Sequence, residues 1–261
     1  MNSWHAALLT EALKARRSRT PWLTAAGFAL APLVGGLFML IIKDPAWARH
    51  VGLLSTKAQL AAGIADWPTY LNLLAQAVAV GGFLVFGIVA TWVFGREFSD
   101  RTVKDLLALP TPRETVVSAK FIVVATWCLL LALVVVGLGV VVGSLVELPG
   151  WSAGVLRTGI GEIGLAAVLT VLLVTPVALV ASVGRGYMAP ISAMVLTLVL
   201  AQVFAATGWG VYFPWAVPGL GSGIAGPDAA DLGVISYLLV VIVGGLGIVG
   251  TLLWWQRADH T

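Results

Sequence analysis

Charge is scarce in this chain. Only 10% of its 261 residues are Asp, Glu, Lys or Arg, 59% are hydrophobic, and the mean hydropathy is +0.99. A soluble domain carries roughly 45–50% apolar and about 25% charged residues. A chain of this length can bury a large core, but too few polar residues remain to clothe it. Lipid is therefore the expected solvent for most of the exterior. Cysteine is nearly missing as well. The single one, Cys128, sits in an apolar run, which rules out an internal disulfide and a Cys-rich metal site and leaves a small packing residue. The histidines are His5, His50 and His260; none lies in an apolar run or in a His-Glu-x-x-His motif, so a metal enzyme has no visible ligands. The five lysines follow Leu13, Ile42, Thr56, Val103 and Ala119, never Gly. No phosphate-cradling Gly-x-x-x-x-Gly-Lys loop exists, so this polypeptide is not expected to hydrolyse ATP, and no cofactor or metal is expected in it.

Apolar runs long enough to cross a bilayer are abundant. A spanning helix needs about 20 mainly apolar residues. Six such runs lie near 22–42, 70–94, 121–146, 160–183, 187–207 and 232–255, giving an all-α, polytopic membrane protein. The division is a cytoplasmic segment 1–21, a six-span unit 22–255 and a tail 256–261. The fourth and fifth spans are separated by Gly184, Arg185, Gly186 and Pro190, a tight turn. With the N-terminus inside, the inner side holds Lys14, Arg16, Arg17, Arg19, Arg96, Arg101, Lys104, Arg113, Lys120, Arg185 and Arg257, and the outer side Lys43, Arg49, Lys57 and Arg157. The positive-inside rule then puts both termini in the cytoplasm. Trp22, Trp67, Trp92, Trp151, Trp254 and Trp255 fall near span ends, where indoles favour the interface. The first run is longer than the ~7–15 residues of a signal core and has no small-residue cleavage site, so it reads as a retained helix. The net charge of +3 comes from patches beside the spans, which read as topology signals rather than as a nucleic-acid surface.

One stretch departs from the rest. "GREFSDRTVKDLLALPTPRETVVSAK", residues 95–120, gathers nine charged residues between two apolar runs. From Glu97 to Leu109, polar residues fall at 97, 100, 101, 104 and 105 and apolar ones between them, a helical period. Glu97–Arg101 and Asp100–Lys104 are in the favourable order for i,i+4 pairs, each worth about 0.2–0.5 kcal/mol. Pro110 ends that helix. Thr111, Pro112, Arg113 and Glu114 read as a capping box that starts the next one. Two readings fit: a solvated connector on the membrane surface, or a bent, rigid docking element for a soluble partner. Residues 2–19 place Trp4, Leu8, Leu9, Ala12 and Leu13 on one face, with Glu11, Lys14, Arg16 and Arg17 mostly elsewhere. That is an interfacial amphipathic helix, or equally a basic tail that sets topology.

"REFSDRTVKDLLALPTPRETVVSAKF" resembles the first cytoplasmic loop of type-2 ABC (ATP-binding cassette) exporter permeases of the bacitracin and multidrug type. The matching residues are Glu97, Thr102, Leu106, Leu107, Pro110, Arg113 and Lys120. Arg101 stands where that family often has Gly. The six-span layout and an outer Pro214, Trp215, Pro218, Gly219 segment match as well. The resemblance implies that Glu97, Arg101, Thr102, Lys104, Leu106, Leu107, Pro110, Arg113 and Lys120 belong to a loop carrying a coupling helix. That helix would fit a cleft of a separate ATPase subunit. It further implies a plasma-membrane assembly of two permeases, the second a copy or a paralogue, with two ATPases below that hold the ATP and Mg²⁺. Closure of the ATPases would push on Glu97–Lys120, and an amphipathic or lipophilic cargo would pass between the permeases.

The rival readings are an ion-coupled carrier, or a structural or signalling membrane protein with no ATPase. An ion-coupled carrier needs ionisable groups inside the spans, each costing at least a few (~2.5–3.5) kcal/mol. Glu162, at the outer start of the fourth span, is the main candidate; Asn72, Gln76 and Gln202 are polar but do not titrate usefully. The outer segment 207–228 is apolar yet rich in Gly and Pro, and it either dips into the outer leaflet or forms an external loop. Glu162, Gln202, Tyr212, Phe213, Pro214, Trp215 and Pro218 are the candidate pathway or outer-gate residues. Three Gly-x-Gly-x-x-Gly matches, beginning at Gly159, Gly221 and Gly245, lie in or beside spans and are chance products of 30 glycines. Gly139-x-x-x-Gly143 predicts close helix packing.

Overall fold

A computed structural model describes residues 3–50, 52, 64–103, 111–224 and 232–257. The described residues are mostly helical, without a strand, and include six helices long and apolar enough to cross a membrane. Helix α1 (Ser3–Arg17) leads into the first spanning helix, α2 (Thr20–Lys43), and a short α3 (Pro45–His50) follows. The other spans are α4 (Trp67–Ser99), α5 (Arg113–Leu145), α6 (Ala153–Val183), α7 (Met188–Ala206) and α9 (Val234–Arg257). The short α8 (Val217–Gly221) precedes α9.

Local chemistry sets the ends. Asp66 caps α4 by accepting from the Thr69 N–H at 2.9 Å, with Pro68 in the first turn, where its missing N–H costs nothing. Ser152 caps α6 in the same way through the Val155 N–H at 3.1 Å. These caps extend both helices further outward than the apolar runs alone imply. Three helices end on a charged residue in the left-handed conformation: Arg101 (φ 58°), Glu147 (φ 53°) and Arg185 (φ 51°). At α5 the Leu148 N–H reaches back to the Gly143 carbonyl and the Glu147 N–H to Ser144, the Schellman pattern. The Lys43 ammonium at the end of α2 donates to the carbonyls of Val146 (2.8 Å) and Glu147 (3.2 Å), placing a cation on the negative pole of α5. Arg185 makes the tight turn between α6 and α7.

Helices α4 and α6 form the centre: 56% of each apolar window is buried, against 17% for α7 and 22% for α2. Close approach is bought with missing side chains. A methyl on Gly143 would meet the ring of Trp67, and one on Gly139 the side chain of Leu74, so α4 and α5 touch along the predicted small-residue pair. In α6, Pro176 lies within the helix, and the Thr175 hydroxyl lies 2.8 Å from the Leu172 carbonyl and 2.7 Å from the Gly244 carbonyl of α9. A π turn, Ala77–Gly81, interrupts α4.

After α7 the described residues 207–224 fold inward. Two 3₁₀ turns (Gly210–Tyr212 and Pro214–Ala216) and α8 bury Pro214, Ala216, Val217, Pro218 and Gly219. The Trp215 indole donates to the Leu173 carbonyl at 3.2 Å. Leu173 lies ten residues from the end of α6, about 15 Å along its axis, half of the ~30 Å hydrocarbon thickness. The segment therefore re-enters the bundle instead of floating outside it. Its innermost stretch, residues 214–219, is largely buried in protein, the condition for irregular chain at that depth.

Candidate functional site

Four charges meet at the end of the bundle that carries α1 and the 97–113 connection. Lys120, eight residues into α5 and 1% exposed, points its ammonium to Glu11 Oε2 (2.9 Å), Glu97 Oε1 (3.2 Å) and the Val93 carbonyl (3.1 Å). All three of its N–H donors are used. Lys14 bridges the same two carboxylates, at 2.8 Å from Glu11 Oε1 and 2.7 Å from Glu97 Oε1. The remaining Glu97 oxygen accepts the Thr102 hydroxyl at 2.7 Å. Two carboxylates and two ammonium groups cancel, so the set is neutral and hydrogen-bonded, which makes the burial of Glu11, Glu97 and Lys120 beside the half-buried Lys14 tolerable. Burial by itself would lower the pKa of Lys14, but Glu11 and then Glu97 outweigh it and raise the value.

Geometry delivers these groups from three elements. Helix α1 turns Glu11 and Ala15 inward while Trp4, Leu9 and Leu13 remain exposed. The residue types of the amphipathic pattern are as read from sequence, but Glu11 is not on a wet face: it is the inward anchor. Helix α4 supplies Glu97 from its last turn and then stops. Asp100 closes the helix, Arg101 takes the left-handed position, and the Thr102 N–H returns to the Glu97 carbonyl at 2.9 Å, with the Arg101 N–H on Phe98 at 3.3 Å. This Schellman turn overturns the expectation of one continuous helix from Glu97 to Leu109. The expected Glu97–Arg101 pair is replaced by Glu97 with Lys14 and Lys120, and the i,i+4 pair that forms is Arg96–Asp100 at 3.1 Å. Lys104, Leu106, Leu107 and Pro110, and with them the expected Asp100–Lys104 pair, fall outside the described residues.

The far side of the connection is fixed too. Arg113 donates from Nη1 to the carbonyls of Trp255 (3.1 Å) and Gln256 (3.3 Å), at the negative pole of α9. The expected capping box does not form: Pro112 occupies the N-cap, no side chain caps it, and Glu114 instead accepts the Gln256 amide at 2.7 Å. Phe98 packs edge-on against Trp254 at 5.7 Å and lies at the same distance from Trp255. Residues 97–102 are thus joined to α1 and α5 through Glu97 and to α9 through Phe98, and residues 113–114 to α9.

At the opposite end, Glu162 lines an open groove of about 630 Å³ with Pro68, Thr69, Asn72, Thr158 and Gly159. Asn72 also donates to the Ser222 carbonyl at 2.9 Å, tying the groove to the re-entrant segment. Gln202 lines a separate small cavity beside Trp215 and Leu220. Phe213 stacks on Phe204 at 4.7 Å; Pro214 and Pro218 are buried, and Tyr212 is exposed. The candidate pathway residues therefore fall into two places rather than one. Sequence reasoning missed Glu11 and Lys14 as partners of Glu97. The available signal was Lys120 itself, a cation eight residues into a spanning helix, which demands a buried counter-charge.

Comparison with known proteins adds three findings. The family described as ABC-2 family transporter protein matches residues 7–203. The bacitracin transport permease protein BCRB of Bacillus licheniformis is 25% identical over 179 residues, covering 68% of this chain and 85% of its own. No solved structure matches the chain.

Proposed function

Because the chain belongs to the ABC-2 family of transporter proteins, we propose that it is the permease subunit of an ATP-binding cassette exporter in the plasma membrane, both termini cytoplasmic. It would form the substrate path as one of two permeases, the second a copy or a paralogue. Two separate ATPase subunits would supply the work and hold the ATP and Mg²⁺; this chain would contribute no catalytic residue. The observation that carries this reading is the ion-pair quartet Glu11, Lys14, Glu97 and Lys120, which ties the start of the charged connection, at Glu97, to α1 and α5. A push that reaches Glu97 or Thr102 would pass to α1 and α5 through these ion pairs. The cargo is read as amphipathic or lipophilic, supported by the name of the bacitracin permease relative. The test is Glu97→Gln in the assembled complex. The ATPase should still co-purify, while cargo-stimulated ATP hydrolysis and export fall about tenfold, the scale of a site-to-site coupling energy. Unchanged stimulation, or a chain that never retains an ATPase in mild detergent, defeats the proposal.

A second reading, an ion-coupled carrier, draws on Glu162 in its groove with Asn72 and Thr158. The same assay separates the two: Glu162→Gln should abolish transport in a carrier, and should leave nucleotide-driven export running in an ABC permease.

A further inference from the structure

A cavity of about 370 Å³ opens where α1 turns into α2, lined by Thr10, Leu13, Lys14, Arg17, Ser18 and Arg96. Three of these six residues are cations and two carry hydroxyls. Arg17 makes no ion pair or hydrogen bond among the described residues. Arg96 uses only Nε, on Asp100, and lays its guanidinium over Trp92 at 5.0 Å from the ring centroid, which leaves both terminal nitrogens available. Counting the neighbouring groups, Lys14, Arg17, Arg96 and Lys120 give four positive charges against Glu11, Glu97 and Asp100, three negative. The surplus faces the cavity, because the carboxylates of Glu11 and Glu97 are turned into the quartet.

The cavity also sits at the right depth. It lies between the end of an amphipathic helix and the first turn of a spanning helix, the level of the phosphate layer. Beside it, Leu9, Leu13, Trp22 and Leu23 are exposed, an apolar surface suited to acyl chains. We propose that this cavity binds the phosphate headgroup of an anionic phospholipid, with Arg17 and Arg96 as the principal ligands and the Lys14 ammonium beside them; the hydroxyls of Thr10 and Ser18 already donate to the carbonyls of Ala6 and Ala15 and only line the wall. Guanidinium forks match phosphate oxygens in pairs, which a zwitterionic headgroup with its own cation would oppose. Because Lys14 lines the cavity and also bridges Glu11 to Glu97, the bound lipid would brace the connection to α1.

The test uses the full chain in phosphatidylcholine nanodiscs doped with phosphatidylglycerol. Native mass spectrometry of the protein released from the discs counts the retained anionic lipid. The wild type should keep phosphatidylglycerol in preference to phosphatidylcholine, the double variant Arg17→Gln/Arg96→Gln should lose that preference about tenfold, and Arg17→Lys should keep most of it. Arg257→Gln, a cation at the same end of the bundle but outside the cavity, should bind as the wild type does. Equal retention by the double variant and the wild type overturns the site. Displacement by glycerol phosphate would assign the cavity to a soluble phosphate and overturn the lipid. The readout needs no ATPase, so it stands or falls separately from the export reading.

Discussion

Lys120 shows what a single residue decides here. Its ammonium has no water to fall back on, so each of its donors must find a protein acceptor, and each does. Replacing it with Met leaves Glu11 and Glu97 sharing Lys14 alone. Breaking a buried pair in this way costs about 3–5 kcal/mol, so Lys120→Met should lower the unfolding temperature sharply in detergent. Adding Glu11→Leu restores neutrality around Lys14 and Glu97 and should recover much of the loss. Additive losses in that double-mutant cycle would mean that the pair does not act as a unit.

At the scale of elements, the end of α4 is the informative case. Arg101 occupies the position that the Schellman turn normally gives to glycine, at a cost of about 1–2 kcal/mol for an L-residue with a side chain. Arg101→Gly should therefore stabilise the turn, visible as slower hydrogen exchange at the Thr102 amide. The sequence concealed this break because nothing there looks like a stop: polar residues continue at a helical spacing through Arg101, and no Gly marks the turn. The six spans were legible because a bilayer demands long apolar runs whatever their neighbours. The caps at Asp66 and Ser152 and the left-handed residues are local hydrogen-bond geometry, which periodicity does not record. The quartet was illegible for another reason: Lys14 meets Glu97 across 83 residues and Lys120 meets Glu11 across 109, and no window on the chain contains both partners.

For the whole molecule, the charged connection is held at both ends, by the quartet at Glu97 and by Arg113 on the last turn of α9. A force applied between them is divided among α1, α5 and α9, while α2 and α7 stay largely uncovered by the rest of the chain. Arg113→Gln should release α9 without unfolding the bundle. Spin labels on residues 115 and 257 should show a broader distance distribution by electron paramagnetic resonance with Gln at 113 than with Arg, and an unchanged distribution would show that the clamp carries no load.

The π turn at Ala77–Gly81 has a different kind of consequence. Such a turn holds one residue more than the α-helix around it, as if a single amino acid had been spliced into a finished rod. Trimming one residue there should let the turn relax to ordinary winding and leave Asn72 and Thr91 facing the neighbours they face now. The same cut a few residues later, between Phe83 and Val89, should spin one half of the rod by about 100° against the other and scramble its packing. Membrane yield and melting temperature of the two deletions would tell them apart, and equal damage from both would show that the extra residue is not a removable one.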